Sequence, residues 1–271
     1  DGYILLNNYA NIFTTEDHKE ILLVRKYGTS RDLGTNLENV TRPRSESSNG
    51  GGSNQPTWNL VRSYAMRDGL PTNHPSSGYN NTQFWQNRDP RFTATFAYNG
   101  SFWPLSGKAN RRQWTYVGAA QEGAGWGVYC KRFSIPSIAA GNVQYTANLG
   151  GNGMDWIEMR FAEVILNYAE CLNETGNIAL AKDLVRQLRV RAGIEQGSGG
   201  NDYGLGAATS VELMRELIFN ERFIEFAFED KRNADLRRMR RMHLLTGTMS
   251  GMIIELQGNA ATTRATLEAV I

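Results

Sequence analysis

The three histidines, His18, His74 and His243, are the side chains best suited to acid–base or metal chemistry in this 271-residue chain. They stand more than fifty residues apart, far from the three- to five-residue spacing with which one segment presents two imidazoles to a zinc ion. No metal site is expected. The segment Gly247–Gly251 reads GTMSG, with its serine one place too late for a nucleophile elbow. The glycine-rich stretch 197–206 lacks both the G-x-G-x-x-G fingerprint and the lysine of a phosphate-binding loop. Asp155/Glu158 and Glu170/Glu174 stand at helical spacing, usual for a solvated face, whereas glycoside hydrolysis needs two carboxyls facing each other across a cleft. Neither a catalytic residue nor a cofactor is expected.

Binding chemistry is better represented. Tyr79, Trp103, Trp114, Tyr116 and Trp126 lie in segments that read as loop or turn instead of on helical stripes. A sugar presents apolar C–H faces rimmed by hydroxyls, so flat aromatic platforms beside amide and guanidinium groups are its natural receptors. Covering about 50 Å² of sugar face at about 25 cal/mol per Å² gives roughly 1.2 kcal/mol per platform. Several platforms on one oligomer reach roughly micromolar to millimolar affinity. Asn110, Arg111, Arg112, Gln113 and Gln121 are the neighbouring polar candidates, and joint loss of Trp103 and Trp126 is expected to weaken binding. The same rings also suit half-burial under long loops, where a polar tip finds a partner. Trp58, Trp85 and Trp156 adjoin helix starts or the NRDPRF segment and read as structural.

These rings need elements to hold them. Residues 1–27 contain a short helix-like start and the run Ile21 to Val24, which suits a buried strand. Residues 28–57 lose periodicity, and SESSNGGGSN at 45–54 reads as an exposed connector. A helix is predicted from Asn59 to Met66, stopped by Asp68-Gly69-Leu70-Pro71, and another near Thr82 to Asn87. Thr93 to Tyr98 looks strand-like, followed by an Asn99-Gly100 turn and extended pieces at Gln113–Val117 and Gly127–Phe133. Residues 58–150 thus form a loop-rich insert with a few short strands.

A helical scaffold over 154–245 follows. Ile157, Phe161, Val164, Ile165, Tyr168 and Leu172 recur at helical spacing, with Gly176 as the stop. A second helix from Ile178 to Ala192 buries Ala181, Leu184, Val185 and Leu188 and ends at Gly193. The short connection makes these a helical hairpin. Thr209 and Glu212 suit a capping box before a run whose face is Met214, Leu217, Ile218, Ile224 and Phe228. Glu221, Arg222, Glu225, Arg232 and Asp235 are packed so densely there that some must approach the core. Buried charges are tolerable only when paired, so an internal ion-pair lattice is expected, with a catalytic carboxylate pair as the alternative.

Bulk properties exclude several classes. A net charge of +2 gives no field suited to nucleic acid. No apolar run approaches the roughly 18–20 residues that span a bilayer. Cys130 and Cys171 are too few for a disulfide framework, and Cys171 reads as helix core.

RFAEVILNYAECLNETGN, VRQLRVRAGI and ELIFNERFIEFAFEDKRNADLRRM resemble the C-terminal half of SusD/RagB-type proteins, the outer-membrane nutrient-binding lipoproteins of Bacteroidetes. HKEILLVRKYG, MRDGLP, NRDPRF and VYCKRF follow the family's order upstream, while Cys171, Asn233 and Met239 depart from its usual residues. The resemblance implies a mainly α, SusD-like scaffold with a tetratricopeptide-like hairpin, and a non-catalytic protein that captures oligosaccharide for a TonB-dependent, SusC-like β-barrel transporter. Peptide capture, as in the RagB branch, is the alternative, and a module whose only partner is the barrel is a third reading. The resemblance further implies that residues 1–271 are the C-terminal portion of a longer protein held on the extracellular face of the outer membrane by an upstream lipid anchor. It assigns no ligand residue, because the family's sites lie in variable loops.

Overall fold

A computed structural model describes residues 2–30, 33–48, 51–119, 122, 125–143 and 153–256. Its elements are β1 (Ile21–Arg25), α1 (Leu37–Thr41), α2 (Trp58–Ser63), α3 (Pro90–Thr95), β2 (Phe96–Tyr98), β3 (Ser101–Phe102), β4 (Arg112–Gln113), β5 (Val128–Cys130), β6 (Trp156–Arg160), α4 (Phe161–Glu174), α5 (Ile178–Ala192), α6 (Val211–Glu225) and α7 (Arg232–Arg238). The fold is mainly α, with short two-stranded sheets. The chain forms two compact units: a helical one of Asp1–Arg25, Asn59–Ala94 and Ile157–Thr248, and a loop-rich one of Lys26–Trp58, Thr95–Trp156 and Met249–Ile271. Residues 59–94 therefore cluster with the helices, and 26–58 with the loop-rich unit.

In the helical unit α4, α5 and α6 share one apolar core built from Ala162, Ile165, Leu166, Ala169, Ala181, Val185, Leu188, Met214 and Ile218. The hairpin turn is made by Gly176 at φ +85°, and α5 ends at Gly193 at φ +81°. Ile194 N–H closes that end on Arg189 O at 3.0 Å, the bond pattern that a left-handed glycine permits. The start of α4 and its buried face differ from expectation. Residues 157–160 belong to β6, paired with β1, and the helix begins at Phe161, whose N–H donates to Glu20 O at 2.7 Å. Its buried row holds the small residues Ala162 and Ala169, which let helices approach closely. Tyr168 is 56% exposed. Cys171 is also exposed, and Asn173 takes the enclosed place, donating to Val211 O at 2.9 Å. Ser210, not Thr209, caps α6: its Oγ accepts from Leu213 N–H at 3.2 Å. Ser210→Ala is expected to cost about 1 kcal/mol, measurable as a lower urea midpoint.

The NRDPRF segment explains itself in this unit. Arg88, Asp89 and Arg91 are all buried. Arg88 donates to the carbonyls of Val61 (2.9 Å), Tyr64 (2.8 Å), Ala65 (3.3 Å) and Phe84 (2.5 Å), stitching α2 to the following turns. Thr82–Asn87 is turns and no helix, and ends on Asn87 in the left-handed region at φ +51°. Thr93 and Thr95 belong to α3, not a strand. β1 has exposed Leu23 and is half-buried at most.

The loop-rich unit pairs β2 with β5 antiparallel, Phe96 opposite Cys130 and Tyr98 opposite Val128, and pairs β3 with β4. Residues 28–57, expected to lack periodicity, carry α1 and a buried ion pair ahead of the 45–54 stretch. Glu38 and Arg42 are fully enclosed, and Arg42 also donates to Ile135 O (2.8 Å) and Ile138 O (2.9 Å). Glu46 is likewise buried, accepting from Arg111 at 2.9 Å and Lys108 at 2.6 Å. Charge pairing fixes this polar stretch where apolar burial could not. Residues 250–254 form an extended strap on the same unit: Trp58 N–H donates to Ser250 O (2.8 Å), Met252 N–H to Trp126 O (3.1 Å) and Val117 N–H to Ile254 O (2.8 Å).

Candidate functional site

The five aromatic candidates separate by burial. Trp103 is fully enclosed, its Nε1–H donating to Ser134 Oγ at 3.1 Å and its ring 6.3 Å from that of Tyr129. With Ala97, Leu105 and Tyr129 it makes the core of the loop-rich unit. Trp114 and Tyr116 lie beside each other, ring centroids 6.3 Å apart, and are buried too. None of these three presents a face to a ligand here, because residues distant in sequence close over them. Tyr79, in the helical unit, is half-buried with its ring 5.3 Å from the Arg88 guanidinium. Only Trp126 of the five is exposed, at 38%.

Trp126 owes its position to main-chain contacts. Its N–H donates to Gln55 Oε1 at 3.1 Å, and its carbonyl holds the strap through Met252. Gly251 packs close to the indole: a Cβ there would come within 2.4 Å of Cε3. The ring is thus partly covered by protein and partly open to solvent. Of the polar candidates, Arg111 and Gln113 are buried with Glu46 and Glu122, and Arg112 donates to Gly100 O at 2.8 Å. Asn110 is exposed, and Gln121 lies outside the described residues. Gln55 was missed because it sits in a polar, glycine-rich tract without pattern. Exposed Phe102 was passed over for its neighbour Trp103.

The charged helices hold a dense electrostatic feature in the core. Glu225 Oε1 accepts from Arg160 at 2.7 Å and from Arg191, and its Oε2 accepts from Arg91 at 2.8 Å. Arg160 also holds Glu20 (2.7 Å) and Glu229 (2.8 Å). Glu221 bridges Arg91 (2.6 Å) and Arg189 (2.9 Å), while Arg222 pairs with Asp235 at 2.9 Å. Burial alone would raise the Glu225 carboxyl, but Arg191, Arg160 and Arg91 outweigh it and hold it well below the usual range. Glu221 is lowered likewise, against burial, by Arg91 and Arg189. A carboxylate pinned ionised by several guanidinium groups is a poor proton donor at neutral pH. The lattice joins segments and serves architecture.

A model of the SusD family matches residues 19–267. A curated SusD-like protein P2 of Formosa agariphila is 36% identical over 102 residues, which is 36% of this chain and 20% of that protein. A solved SusD-like protein of Bacteroides fragilis superposes with TM-score 0.68 at 26% identity, covering 89% of this chain and 48% of that one. A SusD-like carbohydrate binding protein from the same organism gives 0.67 at 24%, covering 90% and 47%. Surface glycan-binding protein A of Bacteroides thetaiotaomicron gives 0.57 at 19%, covering 94% and 50%. The last two likenesses speak for the fold. The chain spans about half the length of these solved relatives.

Proposed function

The chain belongs to the SusD family, and from that premise we propose that it serves in capturing oligosaccharide at the outer membrane surface without transforming it. The carrying observation is the family match across residues 19–267. Relatives of the same fold described as carbohydrate binding and surface glycan-binding proteins support it. In this reading the full-length protein is lipid-anchored on the extracellular face and passes its cargo to a TonB-dependent β-barrel transporter. The partly open indole of Trp126 is the sugar platform, with exposed Asn110 of the same unit as a further candidate contact. The buried charge lattice takes no part in chemistry.

The test is a panel of neutral oligosaccharides and mixed peptides titrated against the intact protein, with reaction products followed. Binding of a glycan without turnover is expected. Removing one platform should weaken the best ligand by about 1.2 kcal/mol, close to eightfold, in Trp126→Ala. Peptide binding with no glycan bound would move the assignment to peptide capture. Cleaved sugar would refute the non-catalytic reading.

A further inference from the structure

A cavity of about 600 Å³ lies within the helical unit, bounded by α2, the 69–74 turn, the 201–208 loop and one face of α6. That volume suits a small molecule, and nothing in the oligosaccharide reading uses it. Its walls include Arg62, Arg189, Asn220, Leu70, Leu217 and Glu216. Arg189 is nearly enclosed. Its Nε donates to Glu221 Oε2 at 2.9 Å and its Nη1 to Tyr203 O at 2.6 Å, whereas its Nη2 has no acceptor among the described residues. Glu221 is moreover shared with Arg91, so one carboxylate answers two guanidinium groups. Arg62 is exposed and has no ion-pair partner among the described residues. The single lining acid, Glu216, has both oxygens taken by Arg241. The cavity therefore offers cationic donors and no free anion.

Its other groups complete a receptor. Asn220 spends its Nδ2 on Ser63 O at 3.2 Å, leaving Oδ1 to accept from a hydroxyl or N–H. Leu70, Leu213 and Leu217 supply an apolar wall. The shape is set in advance by two loops locked back to back. Gly69 and Gly204 have φ of +83° and +78°, and a Cβ at Gly69 would fall 2.1 Å from Tyr203 O. Asn201 Nδ2 ties the same loops by donating to Asp68 O at 2.7 Å. Gly204 of the 197–206 stretch thus serves close loop packing, a Cβ there falling 2.0 Å from Gly69 O.

We propose that this cavity binds a small ligand carrying a carboxylate, whether from a uronic acid or from the C-terminus of a short peptide. The carboxylate meets Arg62 and Arg189 Nη2, and the C–H face lies on the leucines. The site belongs to a different unit from Trp126 and stands without the oligosaccharide reading. Calorimetric titration of the intact protein at low salt tests it, with D-glucuronic acid and dialanine against D-glucose and dialanine amide. A carboxylate ligand is expected to bind with a dissociation constant of roughly millimolar order, and its neutral counterpart at least about tenfold more weakly. Arg62→Gln should weaken the acid about five- to tenfold while leaving the melting temperature unchanged. Ala207→Tyr, at an exposed lining position, should block entry. Glucuronate alone binding marks a uronic acid site, dialanine alone a peptide-terminus site, and both a general carboxylate site. No binding, equal binding of the neutral compounds, or an Arg62→Gln protein indistinguishable from the parent overturns the proposal. None of these results bears on Trp126.

Discussion

Replacing Glu225 by alanine is expected to lower the unfolding free energy by about 3–5 kcal/mol, because it leaves buried guanidinium charge without its partner. Domains of ordinary stability have only about 5–15 kcal/mol to lose, so the urea midpoint should move far. Three arginines, Arg91, Arg160 and Arg191, donate to this one carboxylate. Glu174→Ala is the control. Its pairing with Arg215 is at the surface, where such bridges contribute about 0–1 kcal/mol. The same carboxylates set an acid limit. Glu225 and Glu221 have folded-state pKa values below the ordinary glutamate value, so the stability they give is complete above about pH 4.3 and is lost as pH falls through the folded values. Urea titrations between about pH 5 and 2 should show stability declining, less steeply in Glu225→Gln, which has one fewer depressed group. Equal slopes in the two proteins would contradict the pairing.

Trp103→Ala should cost about 3–5 kcal/mol, the range for removing a large enclosed aromatic side chain. It also leaves Ser134 Oγ without its indole donor. Trp126→Ala should change stability by less than about 1 kcal/mol, since that ring is partly open to solvent. Affinity should behave the other way. Under conditions where both proteins are folded, Trp126→Ala weakens oligosaccharide binding and Trp103→Ala does not. Thermal unfolding and titration of the two variants read both effects. A Trp103→Ala protein as stable as the parent would mean that the loop-rich unit does not close over this ring.

The hairpin was legible because its signals are local: α5 begins at Ile178 and stops before Gly193, as periodicity and glycine chemistry require. The start of α4 was not, since Ile157 happens to fall in phase with the helical stripe although it lies in β6. Charge density on α6 announced burial correctly. It could not name partners, because Glu20, Arg91, Arg160 and Arg191 come from four separate segments. Glu38 and Arg42 stand four apart and could have signalled α1, but the surrounding polar tract hid them. The aromatic candidates show the limit most clearly. Loop position in a sequence says nothing of what returns to cover the loop: Ala97, Tyr129 and Ser134 enclose Trp103. Trp126 stays accessible among glycines that have no side chains to cover it.

Carrier function is tested most directly by isolating the full-length protein from native membranes under mild conditions and identifying by mass spectrometry what accompanies it. The account predicts an outer-membrane β-barrel transporter together with an intact, retained oligosaccharide. Recovery without any barrel, carrying degraded sugar products, would contradict it.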